Sequence, residues 1–130
     1  DHVIDEESET ETLIEIAREV RAQVTDRPVH LATEDNRNIT SLHERDADGR
    51  VVLHTAEWND DLHNVVHAIA TGESEGYYID FAEDHWGKYA RALAEGYAYQ
   101  GEVSRFAGNT PRGEPSAHLP PTAFVDFIQN

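Results

Sequence analysis

Residues 119–130 read Leu119-Pro120-Pro121-Thr122-Ala123-Phe124-Val125-Asp126-Phe127-Ile128-Gln129-Asn130. The run from Ala123 to Ile128 is apolar, β-branched and aromatic with one polar break. That is the pattern of a mostly buried parallel strand. It closes on Gln129 and Asn130, which puts polar groups at the strand's C-terminal end. In parallel α/β arrangements of the barrel kind that end is where chemistry is done.

Upstream, the alternation continues. Ser8 and Glu11 stand at capping-box spacing. Leu13, Ile16, Ala17, Val20 and Val24 then share one helical face, which predicts a helix over 9–24. Asp26-Arg27-Pro28 ends it, and Val29 to Thr33 reads as a short strand. The polar segment Glu34-Asp35-Asn36-Arg37-Asn38 follows as a loop. Asp46-Ala47-Asp48-Gly49-Arg50 is a turn signal, and Val51 to Thr55 is a second strand candidate with Ala56-Glu57-Trp58 at its exit. Asn59 or Asp60 can cap the next helix, Leu62, Val65, Val66 and Ile69 form its inner face, and Gly72 stops it.

Tyr77 to Phe81 reads as an aromatic connector. A helix near 83–95 is expected to turn Trp86, Tyr89, Ala90 and Leu93 inward and to end at Gly96. Residues 101–121 are rich in Gly and Pro and lack periodicity, so they read as a long loop, which in a compact domain is functional or disordered. The order helix, strand, loop, strand, helix, helix, loop, strand argues a parallel α/β sheet.

Composition narrows the partners. The chain holds 26 Asp and Glu against 10 Lys and Arg, a formal net charge of −16 over 130 residues. A basic partner is one reading of such acidity. A solvated, self-repelling surface suited to a salt-rich cytoplasm is the simpler one, because the acids are spread along the chain. Nucleic acid is disfavoured, since phosphate would be repelled. Cysteine is absent, so there is no disulfide framework and no thiolate metal site. No stretch approaches the roughly 20 apolar residues of a membrane span. A cytoplasmic protein without membrane or nucleic-acid partners is the expectation.

Several segments carry a resemblance beyond pattern. Gly96-Tyr97-Ala98-Tyr99-Gln100-Gly101-Glu102, Pro111-Arg112-Gly113-Glu114-Pro115-Ser116 and the Leu119-Pro120-Pro121 approach to the last strand resemble the α-amylase-type glycoside hydrolases. Within that family they look most like the malto-oligosyltrehalose trehalohydrolase branch. The resemblance implies that residues 1–130 form one incomplete unit, part of a (β/α)8 TIM barrel covering about strands five to seven with their helices. Family members continue with His and Asp after the position of Asn130, so the chain is expected to be an internal piece that needs the remainder of the barrel.

The resemblance also implies roles. His30-Leu31-Ala32-Thr33-Glu34-Asp35 resembles the His-Leu-x-x-Glu-Asp segment that ends strand five and carries the general acid/base, which falls on Glu34. Glycoside cleavage needs a protonated acid beside the leaving oxygen and a second carboxylate. Burial among apolar and like-charged groups would raise the pKa of such a Glu so that it holds its proton. The family's nucleophile is an Asp ending strand four. Asp1-His2-Val3-Ile4 departs from the usual Asp-x-x-His-Ala-Ile, so either Asp1 serves behind a shortened loop or the nucleophile lies upstream.

Trp58-Asn59-Asp60-Asp61-Leu62-His63 resembles the Trp-Asn-Asp-Asp-Phe-His block, with Leu62 replacing the aromatic and Glu57 standing where Gln is common. It reads as a sugar rim, with Trp58 stacking on a pyranose and Asn59 and Asp60 bonding its hydroxyls, or as a helix cap with a core tryptophan. Asp35, Tyr78, Phe106 and Asn130 complete the expected substrate contacts. His63 and His67 have the i, i+4 spacing of a metal pair, but no Glu adjoins His63 and no third ligand is identified, so satisfied helix histidines are the simpler reading. No cofactor and no metal are implied.

The function implied is release of trehalose from malto-oligosyltrehalose by a retaining route, with malto-oligosyltrehalose or maltodextrin as substrate. The alternatives are another enzyme of the superfamily, such as a branching enzyme, or a non-catalytic remnant that binds sugar or pairs with a partner chain.

Overall fold

Three short parallel strands make the sheet. In a computed structural model, which describes residues 11–129, β1 (Ala32–Thr33), β2 (Ala56–Trp58) and β5 (Phe124–Val125) lie side by side in that order. Ala32 pairs with Ala56 and Thr33 with Glu57, then Glu57 pairs with Phe124 and Trp58 with Val125. Because side chains alternate along a strand, Thr33, Glu57 and Phe124 share one face and Trp58 shares the other with Val125.

The second strand is displaced from the expected 51–55. Asp46 closes the predicted turn by accepting the N–H groups of Asp48 and Arg50 on its carboxylate. The chain then runs back antiparallel to itself: Val52 N–H donates to Glu44 C=O and His54 N–H to Leu42 C=O. Val51 forms only an isolated bridge with Arg45. These backbone groups are occupied, so the chain joins the parallel sheet only where Thr55 N–H reaches Leu31 C=O at 2.7 Å.

The first helix, α1 (Thr12–Gln23), is as expected in place but shorter. Ser8 of the expected capping box lies outside the described residues, and Glu11 sits at the cap without a side-chain cap bond. Its carboxylate pairs with Arg37 instead. Only Ala17 of the predicted apolar face is fully buried. α1 is held to the segment before β2 by polar contacts, Arg21 Nε donating to Leu53 C=O at 2.6 Å and His54 Nε2 donating to Leu13 C=O at 2.9 Å.

α2 (Asp60–Thr71) follows its sequence signals closely. Asn59 caps it through the Leu62 N–H, and Gly72 ends it in the left-handed conformation. α3 (His85–Glu95) has nearly the expected span, and of its expected inward face Tyr89 packs against the core while the other three residues do not. Trp86 and Leu93 are 67% and 53% exposed, and Ala90 is exposed too. Buried Ala92, with Tyr89 beside it, packs toward α2 instead. A small residue at the crossing lets the two helices approach, which the indole of Trp86 would prevent.

The apolar core belongs to the helices. Leu62, Val65 and Ala68 of α2 meet Ala92 of α3, Phe81 from the 3-10 turn Gly76–Phe81, and Ala98 and Tyr99 beyond α3. The expected loop after Gly101 is partly ordered into an antiparallel ladder, β3 (Val103–Ser104) with β4 (Thr110–Pro111). Gly96 marks the contact of α3 with the sheet: a Cβ there would lie 2.1 Å from the Phe124 ring. Among the described residues no helix is long and apolar enough to cross a membrane.

Candidate active site

β1 and β2 end on the same side because they are parallel, and their C-terminal ends deliver Glu34 and Asp60 to one cleft. The cleft has a volume of about 310 Å³, and its lining is completed by Asn36, Asn64, Tyr77, Asp80, Phe81, Phe106 and Arg112. Glu34 is exposed there rather than buried as expected. The more enclosed carboxylate is Asp60, at the first turn of α2. Burial, then the negative charges of Glu34 and Asp61, push its pKa up to about 6, while Arg112 opposes the rise.

Arg112 is set by its own partners. One nitrogen donates to Asp61 Oδ1 at 2.7 Å and another to Asn36 C=O at 3.0 Å, with the guanidinium 4.7 Å from the Tyr99 ring centre. Asp61 is buried, and its other oxygen accepts Asn38 Nδ2 at 2.8 Å and the N–H groups of Ala98 and Tyr99 at 2.9 Å. This carboxylate joins α2, the loop after β1 and the segment after α3 beneath the cleft. Sequence reasoning passed over it because four partners 23 to 51 residues distant define it.

Of the residues singled out from sequence, Glu34, Asp60 and Phe106 are brought together in the cleft. Tyr78 is not: its ring stacks on His67 at 4.1 Å, and its neighbour Tyr77 takes the cleft position, 4.7 Å from Phe106. Asp35 is 2% exposed and turned inward, gripped by the Arg37 side chain and its N–H. Asn59 is fully buried and fully engaged, accepting from Leu62 N–H and donating to Gly96 C=O and Asp126 Oδ1. Neither offers a group to a ligand in this arrangement. Trp58 is 42% exposed, edge-on to Phe127 at 5.1 Å, outside the cleft lining. Asp1 and Asn130 lie outside the described residues. His67 is held by Glu73 at 2.7 Å, and His63 stacks on Phe127 at 5.0 Å.

Behind the strands lies a polar layer that sequence reasoning did not foresee. Glu57 is 1% exposed and accepts the Tyr97 hydroxyl at 2.6 Å. His43, fully buried, lies 3.5 Å from Glu57 through Nδ1 and 2.9 Å from the Thr33 hydroxyl through Nε2. Burial pushes the Glu57 pKa well up, aided by Asp35, Asp60 and Asp61. It also lowers His43 to about 4. Burial thus works against the charged form of both partners, although their spacing is that of an ion pair.

No protein-family model matches the chain. It is 39% identical over 80 residues to a malto-oligosyltrehalose trehalohydrolase of Mycobacterium tuberculosis, covering 62% of this chain and 13% of that protein. The corresponding enzyme of Rhizobium sp. strain M-11 is 36% identical over 107 residues, 80% of this chain and 17% of that one. That of Deinococcus radiodurans is 34% identical over 132 residues, 96% and 20%. The chain thus spans a fifth or less of the length of these curated relatives. A crystal structure from Salmonella typhimurium, of a protein provisionally named an alpha amylase, matches with a TM-score of 0.91 at 58% identity, covering 97% of this chain and 21% of that one.

Proposed function

Because the chain belongs to the α-amylase-type family of the malto-oligosyltrehalose trehalohydrolases, we propose that its protein is a glycoside hydrolase that cleaves the α-1,4-glucosidic bond next to a terminal trehalose unit. The observation that carries this is Glu34, which ends a parallel strand and opens into a cleft shared with Asp60 and an aromatic pair. In this reading β1, β2 and β5 are barrel strands five, six and seven. Glu34 protonates the leaving oxygen and then, as base, activates the water that releases the product. A retaining route needs a second carboxylate about 5–5.5 Å from the first as nucleophile, and Asp1 or an Asp ahead of it fills that role.

Tyr77 and Phe106 supply apolar faces for a pyranose. Asp60, Asn36, Asn64 and Arg112 supply hydroxyl partners, with Trp58 further out; the resemblance adds Asn130 to these contacts. Asp60, with its raised pKa, accepts near neutral pH and can donate as well from about pH 6 downward. The protein acts in the cytoplasm on soluble oligosaccharide.

The provisional name of the Salmonella protein favours a second reading, an enzyme that acts on maltodextrin without a trehalose end. One experiment separates them. The purified protein is incubated with malto-oligosyltrehalose and, separately, with a maltodextrin of equal length, and free trehalose and the anomer of the new reducing end are followed by NMR. Rapid trehalose release with slow attack on plain maltodextrin is expected. Equal rates on both support the amylase reading, new α-1,6 linkages identify a branching enzyme, and no turnover of either sinks the hydrolase reading.

A further inference from the structure

Phe106 reaches the cleft from the turn between β3 and β4, a ladder of only two residue pairs. A ribbon that short does not hold its own shape in water. Asp80 holds it. Its Oδ2 accepts the Ser104 hydroxyl at 2.5 Å, and its Oδ1 accepts the N–H groups of Arg105 at 2.7 Å and Phe106 at 3.2 Å. Ser104 Oγ in turn accepts the Ala107 N–H at 2.9 Å. The turn carrying Phe106 is thus tied, residue by residue, to one carboxylate that is itself 3% exposed.

The other side of Asp80 is as firmly set. Its carbonyl accepts Lys88 Nζ at 2.6 Å and the Tyr99 hydroxyl at 2.8 Å. It belongs to the same 3-10 turn as Tyr77, the ring that packs on Phe106. One residue therefore connects both halves of the aromatic rim to the core.

We propose that Asp80 is the positioning residue of the Tyr77–Phe106 rim, setting how tightly the cleft holds a glucose unit while leaving the reacting bond alone. The proposal rests on the reading of that rim as a sugar platform. An amide in its place is the same size but has one oxygen: if that oxygen keeps the Arg105 and Phe106 N–H groups, the NH2 faces the Ser104 hydroxyl, which must give up its donated bond and accept instead. The turn then loosens, and the loss falls on binding.

The test compares the intact protein with Asp80→Asn, Phe106→Ala and the double variant, reading KM and kcat on malto-oligosyltrehalose, Kd for a linear malto-oligosaccharide by calorimetry, and Tm. Asp80→Asn and Phe106→Ala should each raise KM and Kd about tenfold with kcat within about twofold, since the lost interaction is made equally in ground and transition states. The double variant should be no worse than Phe106→Ala alone. If Phe106→Ala leaves KM and Kd unchanged, the platform reading falls. If Phe106→Ala weakens binding but Asp80→Asn does not, the platform stands and the role of Asp80 falls. Additive effects in the double variant, or a fall in Tm without a change in KM, reduce Asp80 to a structural residue. Should Asp80→Asn fail to fold, Ser104→Ala removes one anchor and keeps the carboxylate. It should raise KM about threefold, and an unchanged KM overturns the proposal.

Discussion

Glu34 and Asp60 face an open cleft. Glu57 sits on the strand between them but is sealed on the sheet's other side with His43, Thr33 and Tyr97. Asp60 and Glu57 are both carboxylates with raised pKa, and burial is the first cause in each. What differs is the company. Glu57 has a hydroxyl donor already in place, and no solvent reaches it. Asp60 has charged neighbours, Glu34 and Arg112, in a space a ligand can enter. A perturbed carboxylate is thus a weak pointer to chemistry until its surroundings have an opening.

The comparison breaks first, and most visibly, at Glu34. In the protein that carries this chain, Glu34→Gln should lower kcat about 10²–10⁴-fold with KM nearly unchanged, as for loss of a general acid. Its urea denaturation midpoint should stay in place, because the side chain is exposed. A loss confined to KM would reassign Glu34 to binding.

Glu57 should show the reverse. Glu57→Ala removes a buried side chain and orphans the Tyr97 hydroxyl, so it should cost about 3 kcal/mol of stability while the folded fraction keeps its kcat. Glu57→Gln should cost less, about 1 kcal/mol, because burial disfavours the charged carboxylate and an amide of the same size keeps an acceptor for the Tyr97 hydroxyl. A large penalty for Glu57→Gln would mean that Glu57 is ionised and paired with His43.

The smallest effect is one of pH. The folded protein holds the Asp60 proton up to about pH 6 against 3.8 for an ordinary Asp, so this group adds stability as pH falls from about 6 to about 4. His43 acts oppositely. Its pKa drops from 6.5 to about 4 on folding, so the unfolded chain takes up the proton first and stability is lost across that interval. Asp60→Asn should therefore be slightly more stable than the parent above pH 6.5 and should lose more stability on acidification to pH 4. Parallel curves from urea titrations would show that Asp60 ionises as it does in water.

What was legible in the sequence was mostly local. Asn59 and Gly72 bound α2 because caps act through bonds within a few residues. Chain order carries Glu34 to a strand end, but a glutamate after a strand is common, and it is the resemblance of His30 to Asp35 to a family segment that singles it out. The pattern places the second strand at 51–55, whereas Val52 and His54 return along residues 42–44, an interaction that alternation alone does not reveal. Trp86 and Leu93 were set inward because a stripe at helical spacing identifies an apolar face but not what packs on it. Tyr77 and Tyr78 are indistinguishable by pattern, and one step along a 3-10 turn decides which faces the cleft. Asp61, Asp80 and Arg112 act through partners far along the chain, so the mutual arrangement of α2, α3 and the β3–β4 ribbon had to be known first.

Trp58 and Trp86, the chain's two tryptophans, both sit at the surface, one by the strand ends and one on α3. The aromatic side chains enclosed in its interior are Phe81, Tyr97 and Tyr99. Indole emission from this segment accordingly registers events at its periphery, which under the proposed reading include a glucan settling against Trp58. Loss of the interior is written in the near-ultraviolet dichroism of tyrosine, and the two optical signals separate ligand capture from unfolding without any added label.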